Sequence, residues 1–346
     1  MGDKIVTFGE VLLRWSKNDR LRLSQGTQFN GNYGGSEANV AVSLATLGNR
    51  VEYVTRLPDN QMGRACRNAL RYYGLHLDHV VAGGDRLGTY YFEEAAAMRV
   101  SSVVYDRKDS SFYSLRPGMI DWAGVFADAA VFHCSGITCA ISQSAADATF
   151  EAVRKADEMG LHITCDINYR KNLWNYGADP HAVLHSLMQY SDFIFGDQHE
   201  WDLASGVKHI PFLAEDANYQ LDRDAYLDYF RALHEHFPRC RRMLMALRHQ
   251  ITSTHHTLSG ALFVDGELFT TRIYDVHPII DPMGVGDAFV AAFIHATMKW
   301  PGQEQHNLDF ALAASALKNT IQGDFNLSTE SEIMKAMQPS GGRIDR

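Results

Sequence analysis

The chain has 346 residues, 46% of them hydrophobic, with 32 Lys and Arg against 41 Asp and Glu and a formal net charge of −9. The length suits one large α/β domain or two smaller ones, and the apolar content supplies a sizeable core and excludes a disordered chain. The acidic balance argues against a general binder of nucleic acid or anionic membrane, although local arginines or backbone N–H groups still hold a small anion.

In chain order, residues 4–9 read as a first strand. Ser36 reads as the N-cap of a helix that runs to Leu47 and closes at Gly48. A strand at 51–54 and a helix at 61–73 follow, and this β–α–β–α alternation predicts a mostly parallel sheet covered by helices. The alternation returns later, with strands at 129–134, 161–166, 192–195 and 243–247 and helices at 142–159, 179–189 and 222–237. Segments 260–264 and 268–273 flank Asp265-Gly266, a tight hairpin turn. Helices at 287–299, 308–321 and 329–337 close the chain, and the tail 339–346 reads as frayed. Two stretches break the pattern. Residues 11–33 and 85–115 carry β-like runs such as Thr89-Tyr90-Tyr91-Phe92-Glu93 and read as one small sheet standing off the main body as a lid. The expected domains are therefore a core of 1–10, 34–84 and 116–346 and a lid of 11–33 and 85–115.

Five cysteines, odd in number and without a CxxC pair, read as reduced buried thiols of a cytoplasmic protein. No secretory signal opens the chain and no apolar run approaches membrane-spanning length. His199, His255 and His256 have no Cys or third His at a ligand spacing nearby and read as solvated or packed side chains.

The most informative stretch is DPMGVGDAF, residues 281–289. Gly284, Val285 and Gly286 offer successive backbone N–H groups before an apolar helix, which with the helix dipole make a cradle for an anion. Asp287 beside them is an acceptor for a hydroxyl proton. Phosphoryl transfer to an alcohol needs that pair, since the charge on the moving group must be held and the attacking hydroxyl must lose its proton. Other readings of the glycines are weaker. A dinucleotide fingerprint needs a third glycine where Phe289 stands, and a Walker loop needs a lysine after its last glycine.

DPMGVGDAF resembles the C-terminal signature of the ribokinase-like (PfkB) sugar kinases, and GGSEANVAVSLATLG, residues 34–48, resembles their N-terminal one; the two lie roughly 250 residues apart in the right order. The resemblance implies a ribokinase-like three-layer α/β sandwich with a mostly parallel central sheet and a small β-sheet lid. It implies Asp287 as catalytic base, an anion hole from Gly284, Val285 and Gly286, and Gly34, Gly35 and Asn39 at the sugar. Tyr105-Asp106-Arg107-Lys108-Asp109 and Asp166-Ile167-Asn168-Tyr169-Arg170 are similar to segments of 2-keto-3-deoxygluconate kinases. A guanidinium suits a carboxylate, so Arg107 is expected at the acid end of the substrate, with Tyr90, Tyr105, Asn168 and Arg170 around it and Arg170 also steadying the transferred phosphate. On the ATP side the resemblance implies Asp197, Glu200, Arg248, Gly284, Gly286 and Asn319, with Glu200 holding Mg2+ through water. Asp197 replaces the usual Asn, and Arg248 stands where many relatives have Lys-x-Gly. The expected activity is phosphorylation of the 6-hydroxyl of 2-keto-3-deoxygluconate by ATP. Another sugar kinase such as a fructokinase, or a sugar-acid-binding pseudokinase, is the alternative. Lids in this family imply a homo-oligomer.

Overall fold

The computed structural model describes residues 3–338; the tail expected to fray lies outside them. Six strands run parallel, in the spatial order Val51–Val54, Lys4–Phe8, Ala129–Ser135, His162–Asp166, Phe193–Gly196 and Arg242–Thr252. His255–Val264 adds to this sheet antiparallel and is itself paired antiparallel by Glu267–Thr270 and Tyr274–Val276.

Side chains along each strand alternate between two cores. Ile194, Met243 and Met245 face one side, under helices Gln143–Glu158, Pro180–Met188 and Arg223–His236. Phe193, Phe195 and Leu244 face the other, under Ser36–Thr46, Val285–Lys299 and Glu304–Lys318. Both faces are dry, which is why these strands read as nearly continuous apolar runs. The result is a three-layer α/β sandwich. All five cysteines are buried and unpaired, and no helix among the described residues is long and apolar enough to cross a membrane.

Element ends differ from expectation where the apolar pattern stops before the backbone ladder does. The strand expected at 243–247 continues to Thr252 over exposed residues, because its antiparallel partner keeps hydrogen-bonding it as far as His255. Helix Gln198–Ser205 escaped notice because eight mostly polar residues give no readable apolar period. Gly35, not Ser36, is the N-cap of the first helix, and Ser36 is its first helical residue.

The two stretches that broke the alternation do pair with each other. Asn30–Gly34, Leu12–Ser16, Thr89–Glu93 and Ser102–Asp106 form one four-stranded sheet in that order. Leu12, Tyr90 and Phe92 make its small apolar core, to which Met283 of the 281–289 stretch adds its side chain.

Arg14 ties this sheet to the main body. Its fully buried guanidinium lies 2.5 Å from Asp281 and 2.8 Å from Asp324, over the ring of Phe92. Asp281 also accepts from the Met283 and Gly323 amides at 3.0 and 2.9 Å, and Asp324 accepts from the Tyr90 hydroxyl. Burial opposes the arginine's charge, but the two carboxylates outweigh it and hold its pKa above the ordinary value. Burial in turn pushes Asp324 up to about 6 against the pull of Arg14. Removing the cation would strand two buried acids, so Arg14→Leu is expected to cost about 3–5 kcal/mol in urea unfolding. Arg14→Lys should recover part of that loss, and an unchanged midpoint for Arg14→Leu would mean the network contributes nothing.

Candidate active site

The C-terminal ends of the parallel strands open into a cavity of about 490 Å³. Strand order reverses between Lys4–Phe8 and Ala129–Ser135, and open α/β sheets bind ligands in the crevice at such a point.

One wall is the start of helix Val285–Lys299. Its N-cap, Gly284, has φ 77° and ψ 6°, and the first helical hydrogen bond runs from the Ala288 amide to the Gly284 carbonyl at 2.9 Å. The amides of Val285, Gly286 and Asp287 therefore precede the ladder and, with the helix dipole, favour an anion. Gly284 needs glycine twice over, for its left-handed backbone and because a Cβ there would lie 2.0 Å from the Asp324 carbonyl oxygen. At Gly286 a Cβ would meet nothing within 4 Å, so the space above it is free for a ligand.

Asp287 is buried beside these amides. Ser36 Oγ donates to one carboxylate oxygen at 2.9 Å and Asn39 Nδ2 to the other at 2.7 Å. Burial raises its pKa, while the Asn39 and Ser36 donors, with the charge of Arg170, hold it back. Asn39 also accepts from the Gly35 amide at 3.2 Å, so it serves the start of the helix and Asp287 together. Asn168, in left-handed backbone at φ 42°, donates to Ser36 Oγ at 2.8 Å and to Asp166 at 3.1 Å. Its side-chain oxygen Oδ1 is buried with no hydrogen-bond partner among the described residues. A chain of hydrogen bonds thus links Asp166, Asn168, Ser36 and Asp287.

Arg170 lies among three acids. Its Nη1 is 3.4 Å from Glu200, which also accepts the Tyr169 amide at 2.9 Å. Burial pushes Glu200 up to about 7, with Asp197 adding to the rise and Arg170 opposing it. Burial likewise holds Asp166 well above the carboxylate range, with Glu200 and Asp287 adding to it. Asp197 is a helix N-cap: its Oδ1 accepts the His199 and Glu200 amides at 2.9 Å each, and Glu200 accepts the Asp197 amide in return. Helix amides thus hold one oxygen of this carboxylate at the helix start.

Tyr105 and Arg107 come from the small sheet. The Arg107 guanidinium sits 4.8 Å from the Tyr105 ring centroid, with Nε 3.6 Å from Glu10. Its chain neighbour Asp106 pairs with Arg86 at 2.6 Å. Arg248 lines the cavity from strand Arg242–Thr252. Tyr90 also lines it, but its hydroxyl is committed to Asp324. Gly35 lies at the wall, where a Cβ would stand 2.2 Å from the Glu10 carbonyl oxygen.

Two expected residues do not reach the cavity wall. A Cβ on Gly34 would strike the Asp324 carboxylate at 2.1 Å, so this glycine permits packing behind the site. Asn319 is 1% exposed; its amide donates to Ser315 O at 2.9 Å and its carbonyl receives the Ile280 amide at 2.8 Å, bracing the 281–289 stretch from behind. Conversely, Ser36, Asp166 and Asp324 line the cavity without having been anticipated. Ser36 and Asp166 stood inside motifs already singled out, whereas Asp324 carried no signal of its own.

The profile of the pfkB family carbohydrate kinase matches residues 3–328. A 2-dehydro-3-deoxygalactonokinase of Haloferax volcanii is 29% identical over the full length of both chains. The crystal structure of a 2-dehydro-3-deoxygluconokinase from Thermotoga maritima superposes with a TM-score of 0.88 at 33% identity, covering 97% of this chain and 98% of that one. A putative ribokinase II from E. coli in complex with ATP and Mg2+ shares the fold at TM-score 0.80 and 19% identity, covering 98% and 100%.

The two glycines of the helix start should respond differently to a methyl group. Gly284→Ala is expected to lower the thermal midpoint, because the strained backbone and the Asp324 carbonyl leave no room. Gly286→Ala should fold as well as the native chain or better by up to about 1 kcal/mol, yet bind ATP roughly tenfold more weakly or worse by calorimetry. Undiminished ATP binding by Gly286→Ala would place the anion elsewhere.

Proposed function

The chain belongs to the pfkB family of carbohydrate kinases, and from that premise we propose that it transfers the γ-phosphoryl group of ATP to the 6-hydroxyl of 2-keto-3-deoxygluconate. It is a phosphotransferase with an alcohol acceptor. The observation that carries the reading is Asp287, gripped by Ser36 and Asn39 next to the free amides of a helix start.

In this reading Asp287 accepts the proton of the attacking hydroxyl as the oxygen reaches phosphorus. The amides of Val285, Gly286 and Asp287, with Arg170, stabilise the charge spread over the transferred group. Arg248 and Asp197 lie on the nucleotide side. The buried acids Glu200 and Asp166 suit a hard cation, and their pKa values, raised by burial, with Asp197 adding at Glu200 and with Glu200 and Asp287 adding at Asp166, are those of a site short of positive charge. They would hold Mg2+, Glu200 through water, and the ion when bound neutralises phosphate charge. Residues 11–33 and 85–115 act as a lid that excludes water from the reaction.

The acid end of the sugar meets Arg107, whose planar donors suit a carboxylate or α-keto acid and have no such partner in a neutral hexose. The similar Haloferax volcanii and Thermotoga maritima proteins are a 2-dehydro-3-deoxygalactonokinase and a 2-dehydro-3-deoxygluconokinase, kinases of ketodeoxy acids of the galacto and the gluco configuration. The reading further includes a cytoplasmic homo-oligomer joined through the lid, whose strand Ser102–Asp106 turns Val104 to solvent at 55% exposure.

A coupled assay of ADP release with MgATP should show turnover on the gluco acid above its galacto epimer and fructose. Asp287→Asn should lose about 10²–10⁴-fold in kcat while folding normally. Preference for fructose would move the reading to a fructokinase, and sugar-acid binding without ADP release to a pseudokinase. The pH profile carries a separate expectation. The Asn39 donor favours the charged carboxylate, so Asn39→Ala should raise the Asp287 pKa. The acidic limb of kcat would then shift to higher pH, and a limb that stays put or moves down would separate Asn39 from the base.

A further inference from the structure

At the rim of the crevice, the fold gathers three ligating side chains from the single stretch 199–209. We propose that His199, Asp202 and His209 form a binding site for a first-row transition ion such as Zn2+, distinct from the position that Glu200 and Asp166 offer to Mg2+. His199 and Asp202 stand three residues apart on helix Gln198–Ser205, and so on one face of it. The helix ends at Gly206 in left-handed backbone, φ 79°, and the chain turns back. His209 then returns to Asp202, with Nδ1 2.6 Å from Oδ2. The His199 and His209 rings meet edge to face with centroids 4.5 Å apart. One ligating atom from each of the three residues falls within 4.8 Å of the others.

The pair His209–Asp202 does not satisfy the carboxylate. Among the described residues, Asp202 Oδ1, the oxygen that His209 does not reach, is buried with no hydrogen-bond partner, a costly state for an acceptor that a cation bound by the same carboxylate offsets in part. Two imidazoles and one carboxylate make the donor set of an open zinc site, with a fourth position left for water. Imidazole favours Zn2+, Co2+ or Ni2+ over Mg2+, so the ion that serves phosphate chemistry is the wrong one here. Donors about 2.0–2.2 Å from zinc stand roughly 3.4 Å apart in a tetrahedral site. The remaining gap closes by rotation of His199, which is exposed.

A second gathering, His255, Asp275 and His277, is more open to solvent. Neither of its histidines nor Asp275 carries a buried side-chain atom without a partner, which is why the first set is preferred. The location gives the ion a consequence. His199 lines the cavity next to Asp197 and Glu200; an ion there clips the segment after Gly206 to the helix turn that holds those two acids.

The test uses the full chain without an affinity tag, carrying His255→Ala and His277→Ala to silence the second set. Titration calorimetry with ZnCl2 should show one equivalent, undisturbed by MgCl2 at the same concentration. Co2+ should give visible absorption bands of a tetrahedral site. His199→Ala and His209→Ala should each weaken Zn2+ binding by at least about tenfold, since even indirect partners of a metal contribute that much, and should erase the Co2+ bands. His199 is exposed, so its variant is expected to keep the native circular dichroism. Absence of Zn2+ binding, binding that survives both substitutions, or displacement by equimolar Mg2+ would each overturn the proposal.

Discussion

Two acids, Asp281 and Asp324, are buried against one guanidinium, and much of the site's shape follows from that constraint. Buried like charges tolerate each other only with a cation between them. Arg14 supplies it from the small sheet, so the sheet is held over the start of the 281–289 stretch by charge as well as by Met283. Asp324 is also the body against which both glycine signatures close: its side chain occupies the space of a Cβ on Gly34 and its carbonyl that of a Cβ on Gly284. Segments roughly 250 residues apart are brought together by packing on a third.

Within the crevice the same economy of charge governs protonation. Asp166, Glu200 and Asp287 are pushed upward by burial, and Arg170 opposes the rise at all three. Hydrogen bonds then differentiate them. Glu200 is bound to the amides of Asp197 and Tyr169, Asp166 to Asn168, and Asp287 to Ser36 and Asn39. Only Asp287 adjoins the free amides of the helix start. In the proposed reaction that difference makes it the acid placed to receive a proton from a nucleophile close to phosphorus.

Several residues that line the cavity were legible because their patterns are local. The glycines at 284 and 286, the acid after them, and the Asn168 and Arg170 pair following a strand each stand in a short motif whose meaning needs no distant partner. Ser36 was read as a helix cap because a serine before an apolar helix usually is one; its hydroxyl is instead spent on Asp287, 251 residues away in sequence. Asn319 looked like a nucleotide contact and turned out to brace a loop. Asp197, which replaces the usual Asn of its motif, is a helix N-cap whose carboxylate accepts two amides, a local role its motif did not announce.

By itself the amino-acid order determined the layered α/β architecture, the small accessory sheet and the anion cradle with its neighbouring acid. Strand and helix periodicity, glycine conformation and helix-end electrostatics act over a few residues, so they are written locally. Tertiary structure alone decided that Arg14, Asp281 and Asp324 share one buried charge cluster and that Asn39 and Ser36 share the carboxylate of Asp287. Such meetings depend on where the chain crosses itself, and the distance along the chain between their members carries no trace of the distance between them in space.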